Sequence, residues 1–202
     1  MPQISVMNYG VGNLRSVKRA LEKSGAEVLI TSKPRDILES DAIVLPGVGA
    51  FAAAVENLSP LADYVINSVD NGKLLLGICL GLQLLFTRSA EGGSTEGLDL
   101  ISGDIVKLPD HVKTPQMGWN TVDIVCPHPL LEGVSNPFYA YFVHTYYPLP
   151  SHQEVIIAVT KHGVKFPSIV AKQNLFATQF HPEKSGEQGL TILNNFVRNV
   201  KR

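Results

Sequence analysis

Cys79 is the side chain whose surroundings are most typical of a nucleophile. It directly follows the apolar run Leu74–Ile78, and residues 80–86 continue with helical character. Glycine lies two positions before it, at Gly77, and two positions after it, at Gly81. This pattern is typical of a nucleophile elbow, a strand-to-helix turn so tight that neighbouring Cβ atoms would collide. The start of the helix would direct N–H groups and a positive dipole end toward the sulfur, which favours a thiolate.

A histidine and a glutamate two residues apart supply a candidate general base and its orienting group. His181-Pro182-Glu183 follows residues 175–180, which are predicted to form a strand. Side chains two positions apart in extended backbone point to the same side, so the imidazole and the carboxylate are expected to be neighbours. Glu183 would then hold the tautomer of His181 that accepts a proton and returns it to the reacting groups. A turn carrying a solvated histidine remains the alternative.

A glycine-rich segment after the apolar run Ala42–Leu45 is a candidate for binding a developing negative charge. Gly47 and Gly49 bracket Val48 there, so a backbone N–H can turn toward a ligand. Open α/β folds place their sites at this carboxyl edge of the sheet. The segment lacks the lysine and the serine or threonine of a phosphate-binding P-loop. An ordinary loop between a strand and a helix remains the alternative.

The elements that must position these groups alternate between strand and helix in the first half of the chain. Apolar runs at residues 4–7, residues 28–30, Ala42–Leu45 and Leu74–Ile78 are too short for helices, and Leu14–Lys23 has an amphipathic helical pattern. Continuously apolar strands are expected when helices cover both faces of a parallel sheet. The sequence therefore predicts an α/β, flavodoxin-like doubly wound sheet, mostly parallel, with helices on both faces.

The second half is predicted to add antiparallel strands and a final helix. Short alternating segments punctuated by proline and glycine lie near residues 104–106, 120–125, 139–143, 155–160 and 168–171. Ser185 and Gln188 have the spacing of a capping box, and apolar residues follow at helical spacing up to Val200.

Composition narrows the possible functions. The 202 residues are 45% hydrophobic and 17% charged, which is typical of one globular domain spanning 1–202. A net charge of −1 gives no electrostatic reason to expect nucleic acid or an anionic membrane as a partner. No long apolar stretch or signal peptide is apparent, so a cytoplasmic location is expected. Two cysteines, Cys79 and Cys126, indicate neither a disulfide framework nor a cysteine metal site, Cys126 is expected to be structural, and no cofactor is expected.

Three ordered motifs together resemble the class I (triad) glutamine amidotransferases. They are Pro46-Gly47-Val48-Gly49, Gly77-Ile78-Cys79-Leu80-Gly81 with Gln83, and His181-Pro182-Glu183. Further segments at residues 8–14, 115–120, 141–146 and 181–185 resemble one branch of that family, the glutaminase subunits of imidazole glycerol phosphate synthases. The resemblance covers nearly the full length of the chain.

The resemblance implies roles for individual residues. Cys79 would attack the carboxamide of glutamine, His181 would protonate the departing ammonia and then activate water, and Glu183 would orient His181. An oxyanion hole would consist of the Leu80 N–H and an N–H from the strand Gly47-Val48-Gly49. The resemblance also implies a set of glutamine-binding residues, in which an acidic group suits the α-ammonium and amide or hydroxyl groups suit the α-carboxylate. That set is Gly49, Gln83, Glu91, Thr145 and Tyr146.

The same resemblance implies a partner, a (β/α)8-barrel cyclase that uses the ammonia to form imidazole glycerol phosphate and aminoimidazole carboxamide ribotide in histidine biosynthesis. The implied contact face comprises Asn13, Met117, Trp119, Asn120, Tyr141 and Lys184. The only tryptophan suits an aromatic interface anchor, although tryptophan is more often part of a core.

Other functions remain open on the residues alone. The chain could be the glutaminase of another synthase, although the pyridoxal phosphate family has Gly-Gly-Glu-Ser at its oxyanion strand where this chain has Gly47-Val48-Gly49-Ala50. A stand-alone cysteine hydrolase or redox protein would act without a partner. A non-catalytic interaction module would leave Cys79 unlabelled by a glutamine-like electrophile.

Overall fold

Two sheets organise the protein, and the computed structural model describes residues 1–200. The strands are β1 (Gln3–Met7), β2 (Glu27–Thr31), β3 (Ala42–Leu45), β4 (Leu74–Ile78), β5 (Phe86–Ser89), β6 (Thr95–Glu96), β7 (Ile101–Lys107), β8 (Gln116–Ile124), β9 (Phe138–His144), β10 (Tyr146–Pro150), β11 (Ile156–His162), β12 (Val164–Lys172) and β13 (Leu175–Thr178). The helices are α1 (Leu14–Lys23), α2 (Pro34–Glu39), α3 (Phe51–Asp70), α4 (Leu80–Leu84) and α5 (Gly186–Asn199).

The main sheet has nine strands in the order β2-β1-β3-β4-β13-β12-β11-β8-β9. The first five strands are parallel, and β12, β11, β8 and β9 continue the sheet with antiparallel pairing. The parallel part has the flavodoxin-like order, with β13 as its fifth strand. The smaller sheet has the order β10-β7-β5-β6. The carboxyl ends of β3, β4 and β13 therefore lie side by side, which brings together the three candidate motifs.

Alternate residues of the parallel strands pack into two cores on opposite faces of the main sheet. Val44 and Leu76 belong to the core that contains residues of α1 and α5, whereas Ile43 and Leu75 belong to the core that contains residues of α2, α3 and α4. All four residues of β3 are buried, as expected for a strand covered on both faces. The doubly wound α/β fold predicted from the sequence is thus confirmed. No helix within residues 1–200 combines the length and apolar character needed to cross a bilayer.

Most predicted elements are present, with specific differences. Helix α1, β3 and β4 have the predicted bounds, whereas β8 begins four residues earlier than expected, at Gln116, and ends one residue earlier, at Ile124. The sequence did not predict α2 or the twenty-residue α3. The strand predicted near residues 104–106 is present as β7, but that it belongs to a separate smaller sheet was not predicted. Helix α5 is present, but the capping box is wrong, because Ser185 makes no side-chain cap and Gln188 instead accepts from Ser135 N at 2.8 Å.

Candidate active site

Cys79 lies in a strained turn between β4 and α4. Its φ of 54° and ψ of −107° are rare for a residue with a side chain, and such strain is concentrated at functional sites. A Cβ on Gly81 would lie 1.8 Å from the carbonyl oxygen of Leu45, and one on Gly77 would lie 2.8 Å from that of Gly81. The turn therefore requires glycine at both positions, for the steric reason that the sequence indicated.

The helix after Cys79 is shorter than the sequence predicted. Helix α4 is only five residues long and ends at Leu84, and the chain enters β5 at Phe86. A helix dipole grows with the number of aligned peptides, so this helix contributes less to a thiolate than a long helix would. Stabilisation of the sulfur must therefore depend more on side chains around it.

His181 and Glu183 form a buried pair at the end of β13. The distance between His181 Nδ1 and Glu183 Oε1 is 2.8 Å, and the two side chains are only 3% and 1% exposed. The contact was predicted, but its geometric basis was wrong. Glu183 lies in a 3₁₀ turn over Pro182–Lys184 rather than in extended backbone, and this turn folds the carboxylate back onto the ring.

His181 is poised as an acid. Burial lowers the pKa of His181, but interactions of the ring with Cys79 and Glu183 outweigh burial and raise the pKa to about 9. Nδ1 is used by Glu183, and the buried Nε2 has no partner of ordinary hydrogen-bond geometry within residues 1–200. The imidazole therefore holds a proton at neutral pH and keeps one nitrogen free for the reacting groups.

Ser185 fixes the backbone of His181 instead of capping α5. Its Oγ donates to His181 O at 2.7 Å and accepts from Tyr141 N at 3.0 Å. His181 N in turn donates to Tyr141 O at 2.9 Å. These bonds fasten the histidine to β9, and they explain why Ser185 is not available for the predicted capping box.

The His-x-Glu spacing alone does not identify a functional pair. His152 and Glu154 have the same spacing, so the expectation that no histidine other than His181 has a carboxylate at this spacing is wrong. Their side chains are 65% and 77% exposed, and the distance between His152 Nδ1 and Glu154 Oε1 is 3.7 Å. Burial and the position at the sheet edge distinguish the pair beside Cys79.

The oxyanion segment is in a closed arrangement. Leu80 N, one of the two expected donors, already donates to Gly47 O at 3.4 Å. In a planar trans peptide the C=O and the N–H point in opposite directions, so the Val48 N–H is directed away from Leu80 N. The Val48 N–H, one of the groups of the Gly47-Val48-Gly49 strand that could be the second donor, is thus turned away from the Leu80 N–H.

Tyr9 and Gly12 contact the oxyanion segment at Pro46 and Gly47, a role that the sequence did not indicate. The hydroxyl of Tyr9 donates to Pro46 O, and a Cβ on Gly12 would lie 3.4 Å from Gly47 N. Burial, followed by the nearby Cys79, raises the pKa of Tyr9, so the phenol stays protonated and continues to donate. The segment is held at Pro46, directly before the peptide that faces Leu80.

A pocket of about 250 Å³ opens beside Cys79. Its lining contains all five residues that the resemblance implied for glutamine binding, together with Val48, Leu80, Pro115, Val143 and His144. The implied residues are Gly49, Gln83, Glu91, Thr145 and Tyr146. The fold therefore assembles these residues from separate parts of the chain around the thiol.

Glu91 is a fixed charge at the pocket rather than a solvated one. Its Oε2 accepts from Phe51 N, the first residue of α3, at 2.9 Å, and its own N–H donates to Ser89 Oγ at 3.1 Å. Helix α3 has no side-chain cap of its own, so the carboxylate satisfies a free N–H at its start. Oε1 of Glu91 remains available for a cationic group.

The amide of Gln83 has a fixed orientation. Its Nε2 donates to Tyr146 O at 3.0 Å and to Gln179 Oε1 at 3.4 Å. Both hydrogens of the amide are therefore used, and only the oxygen can face a ligand. Gln83 thus offers a ligand only an acceptor, which suits an ammonium or an amide N–H. The expectation that its amide would bind the α-carboxylate of glutamine is therefore wrong.

His144 also contacts Tyr146 O, and Gln116 contacts the other ring nitrogen of His144. Burial lowers the pKa of His144 to about 4, so its ring is neutral and its Nδ1–H donates to Tyr146 O at 2.8 Å. His144 Nε2 then carries a lone pair, which lies 3.1 Å from Gln116 Oε1 while Gln116 Nε2 has no partner within residues 1–200. Because His144 Nε2 can only accept, the end of the Gln116 amide that faces it is the N–H₂ group.

Three of the implied partner-facing residues form one surface cluster. Trp119 lies opposite Tyr141 in the β8–β9 pair, and their rings meet edge to face with centroids 6.1 Å apart. Lys184 Nζ lies 5.6 Å from the centroid of the Tyr141 ring. Trp119 is 58% exposed and neighbouring Met117 is 66% exposed, so the tryptophan is not part of a core.

Two of the other three implied contact residues, Asn13 and Asn120, are engaged elsewhere. Asn13 caps α1 by accepting from Ser16 N at 3.4 Å. Asn120 Nδ2 donates to Lys161 O at 3.0 Å, beside a groove of about 720 Å³ that also borders Trp119. Pro115 lines both this groove and the pocket at Cys79, so the exposed surface lies next to the candidate active site.

The sequence matches the family described as "Glutamine amidotransferase class-I" over residues 5–200. It is 49% identical over 200 residues to the imidazole glycerol phosphate synthase subunit HisH of Archaeoglobus fulgidus, covering 98% of this chain and 100% of that protein. It is 47% identical over 202 residues to the subunit of the same name from Natronomonas pharaonis, covering 96% and 94%.

Solved structures share the fold at low sequence identity. PurLQS from Thermotoga maritima superposes with a TM-score of 0.76 at 19% identity and covers 99% of both chains. The glutaminase domain of Trypanosoma brucei CTPS with bound acivicin has a TM-score of 0.68 at 17% identity, covering 100% of this chain and 96% of that one.

Proposed function

The chain belongs to the class I glutamine amidotransferases, and from this membership we propose that it is the glutaminase subunit of an imidazole glycerol phosphate synthase in histidine biosynthesis. It hydrolyses L-glutamine to glutamate and ammonia, and a cyclase partner with a (β/α)8 barrel uses the ammonia. The observation that carries the proposal is the strained Cys79 beside the buried His181–Glu183 pair, at a pocket lined by all five implied substrate residues. We expect the complex to work in the cytoplasm.

The first half-reaction forms a thioester at Cys79. The sulfur attacks the carboxamide carbon of glutamine, and the C=O electrons move to the oxygen, which the Leu80 N–H stabilises once Gly47 O has left it. When the tetrahedral intermediate collapses, the C–N bond breaks and the protonated His181 gives its proton to the departing nitrogen. Ammonia leaves, and a γ-glutamyl thioester remains on Cys79.

The second half-reaction releases glutamate. His181, now neutral, accepts a proton from water as the water oxygen attacks the thioester carbon. Collapse of this second intermediate breaks the C–S bond, and the thiolate is restored beside a protonated His181. Glu183 Oε1 accepts a hydrogen bond from Nδ1–H throughout, so Nε2 is the nitrogen that exchanges protons.

The pocket orients glutamine by its charges. The free Oε1 of Glu91 and the acceptor oxygen of Gln83 suit the α-ammonium. The carboxamide then extends toward Cys79, with Gly49, Thr145 and Tyr146 along the remaining wall. A substrate one methylene shorter, such as asparagine, would not reach the sulfur while keeping these contacts.

The cluster Trp119–Tyr141–Lys184 is the proposed docking surface for the cyclase, with Met117, Asn120 and Asn13 around it. Exposed aromatic side chains of this kind are typical interface anchors. The backbone of Tyr141 is also bonded to His181 and Ser185. A shift of β9 on docking at this surface would therefore be transmitted directly to His181.

A glutamine-like electrophile tests the proposal. We expect a diazoketone analogue of glutamine to label Cys79 at one equivalent, because the pocket delivers its reactive carbon to the sulfur, and excess L-glutamine to prevent labelling. Peptide mass spectrometry identifies the labelled cysteine. Labelling that favours the exposed Cys126, or protection by asparagine equal to that by glutamine, would contradict the proposal.

The pH dependence of glutamine hydrolysis should report on His181. Since the pKa of His181 is raised to about 9, the required imidazolium is present below that pH and is lost above it, so kcat/KM should fall as pH rises through about 9. Glu183→Gln removes one cause of the raised pKa. We expect it to move this basic limb to lower pH and to reduce kcat by roughly 10²- to 10⁴-fold. An unmoved limb would refute the role of Glu183.

A further inference from the structure

Gln179 is a buried side chain that touches the nucleophile and has no role in the proposed mechanism so far. It follows β13, two residues before His181, and it is fully buried. Its Nε2 lies 3.8 Å from Cys79 Sγ, and its Oε1 accepts from Gln83 Nε2 at 3.4 Å. It therefore connects the sulfur to a residue of the glutamine pocket.

The direction of these hydrogen bonds follows from one backbone atom. Tyr146 O can only accept, so the end of the Gln83 amide that faces it must be the nitrogen. Gln83 then presents N–H to Gln179, and the near end of the Gln179 amide must be its oxygen. The far end of Gln179, which faces Cys79 Sγ, is consequently the N–H₂ group and not the oxygen.

We propose that Gln179 positions and stabilises the reactive thiolate of Cys79 by donating an N–H to its sulfur, with its polarity fixed through Gln83 by the carbonyl of Tyr146. The inference rests on the proposed role of Cys79 as nucleophile. A donor bonds more strongly to an anion than to a neutral thiol, so the contact favours the charged form of the sulfur.

Of the other groups around the sulfur, some favour the thiolate of Cys79 and some favour the neutral thiol. Val143 O lies 3.6 Å from Sγ and accepts from the neutral thiol, so it favours the protonated form. Protonated His181 favours the thiolate, whereas neutral Tyr9 and neutral His144 add no charge. Gln179 therefore offsets Val143 O, and its contribution adds to that of His181. Glu183 is held on the far nitrogen of His181, and Glu91 is the remaining carboxylate that lines the pocket.

The test is the pH dependence of Cys79 alkylation by iodoacetamide in the full-length chain carrying Cys126→Ser, which removes the other thiol. Gln179→Met keeps the side-chain length but lacks the donor. We expect it to raise the midpoint pH of alkylation by about one unit and to slow alkylation about tenfold below that midpoint, since one pKa unit corresponds to about 1.36 kcal/mol. Gln179→Glu, which faces the sulfur with an acceptor, should raise the midpoint further.

Two further variants separate this role from packing. Gln83→Met removes the donor that orients Gln179, so a smaller rise of the midpoint is expected. Asn195→Leu removes another buried amide, that of Asn195 in α5, which donates to Leu130 O and Glu132 O. It should lower the melting temperature without moving the midpoint.

An unchanged midpoint in Gln179→Met, or in Gln83→Met if the first variant does not fold, would overturn the inference. Because alkylation reports on the sulfur whatever the amide substrate is, that result would leave the glutaminase proposal standing. Conversely, a shifted midpoint in a chain that hydrolyses no glutamine even with the cyclase present would support the inference and refute the proposed function.

Discussion

Replacing Cys79 by alanine should reduce glutamine hydrolysis on the order of 10⁶-fold, the scale seen when a catalytic nucleophile is removed. Without the sulfur no thioester forms, and His181 is left beside a methyl group that can neither attack nor hold a negative charge. Ammonia release from glutamine, measured with the partner cyclase present, gives the result directly. The backbone of the elbow should persist, since alanine meets the same steric limits at φ 54° as cysteine.

The same variant should still bind its partner. Cys79 is 5% exposed, whereas the proposed docking residues Trp119 and Met117 are 58% and 66% exposed. Affinity for the cyclase, measured by titration calorimetry, should therefore match that of the unmodified chain. Cys126→Ala is the matched control, because it removes an exposed thiol and should leave hydrolysis intact. Turnover of Cys79→Ala near that of the unmodified chain would exclude this residue as the nucleophile.

The sequence predicts the parallel strands β3 and β4 well because their signals are local, although it misses α2 and α3 between parallel strands. Continuously apolar runs such as Ala42–Leu45 mark strands covered on both faces, and their bounds agree with the structure. The elbow at Cys79 is equally local, since its glycines are required by atoms a few residues away and by the adjacent strand. Element order then places the carboxyl ends of β3, β4 and β13 together.

The rest of the site depends on tertiary contacts that leave no local pattern. Ser185 and Gln188 have a capping-box spacing, but Ser185 bonds to His181 and Tyr141, and only the position of β9 makes that possible. The roles of Tyr9, His144 and Gln179 likewise arise from atoms that lie far apart in the sequence. The orientation of Gln83 reverses the pairing expected from its residue type, because two protein acceptors use its nitrogen first.

We propose that the resting position of the Gly47–Val48 peptide makes catalysis depend on the partner. With Gly47 O on Leu80 N and the Val48 N–H turned away, one donor is occupied and the other is absent from the oxyanion site. Rotation of this peptide would release the Leu80 N–H from Gly47 O and turn the Val48 N–H toward the oxyanion site. Because Gly47 has no Cβ and Tyr9 holds the preceding carbonyl at Pro46, rotation can be confined to one peptide. A partner that binds the rotated form more tightly would activate the enzyme by shifting this equilibrium.

We therefore expect the isolated chain to hydrolyse glutamine slowly and the complex with cyclase and its nucleotide ligand to be faster by roughly 10²- to 10³-fold, the contribution of one oxyanion donor. The gain should be in kcat, because the donor acts on charge that develops after binding. Val48→Pro removes the N–H and should bring the activation ratio toward one. Ala50→Pro is the matched control, since its φ of −83° suits proline, and it should retain activation. Equal ammonia release with and without the partner would show that this peptide does not limit the resting enzyme.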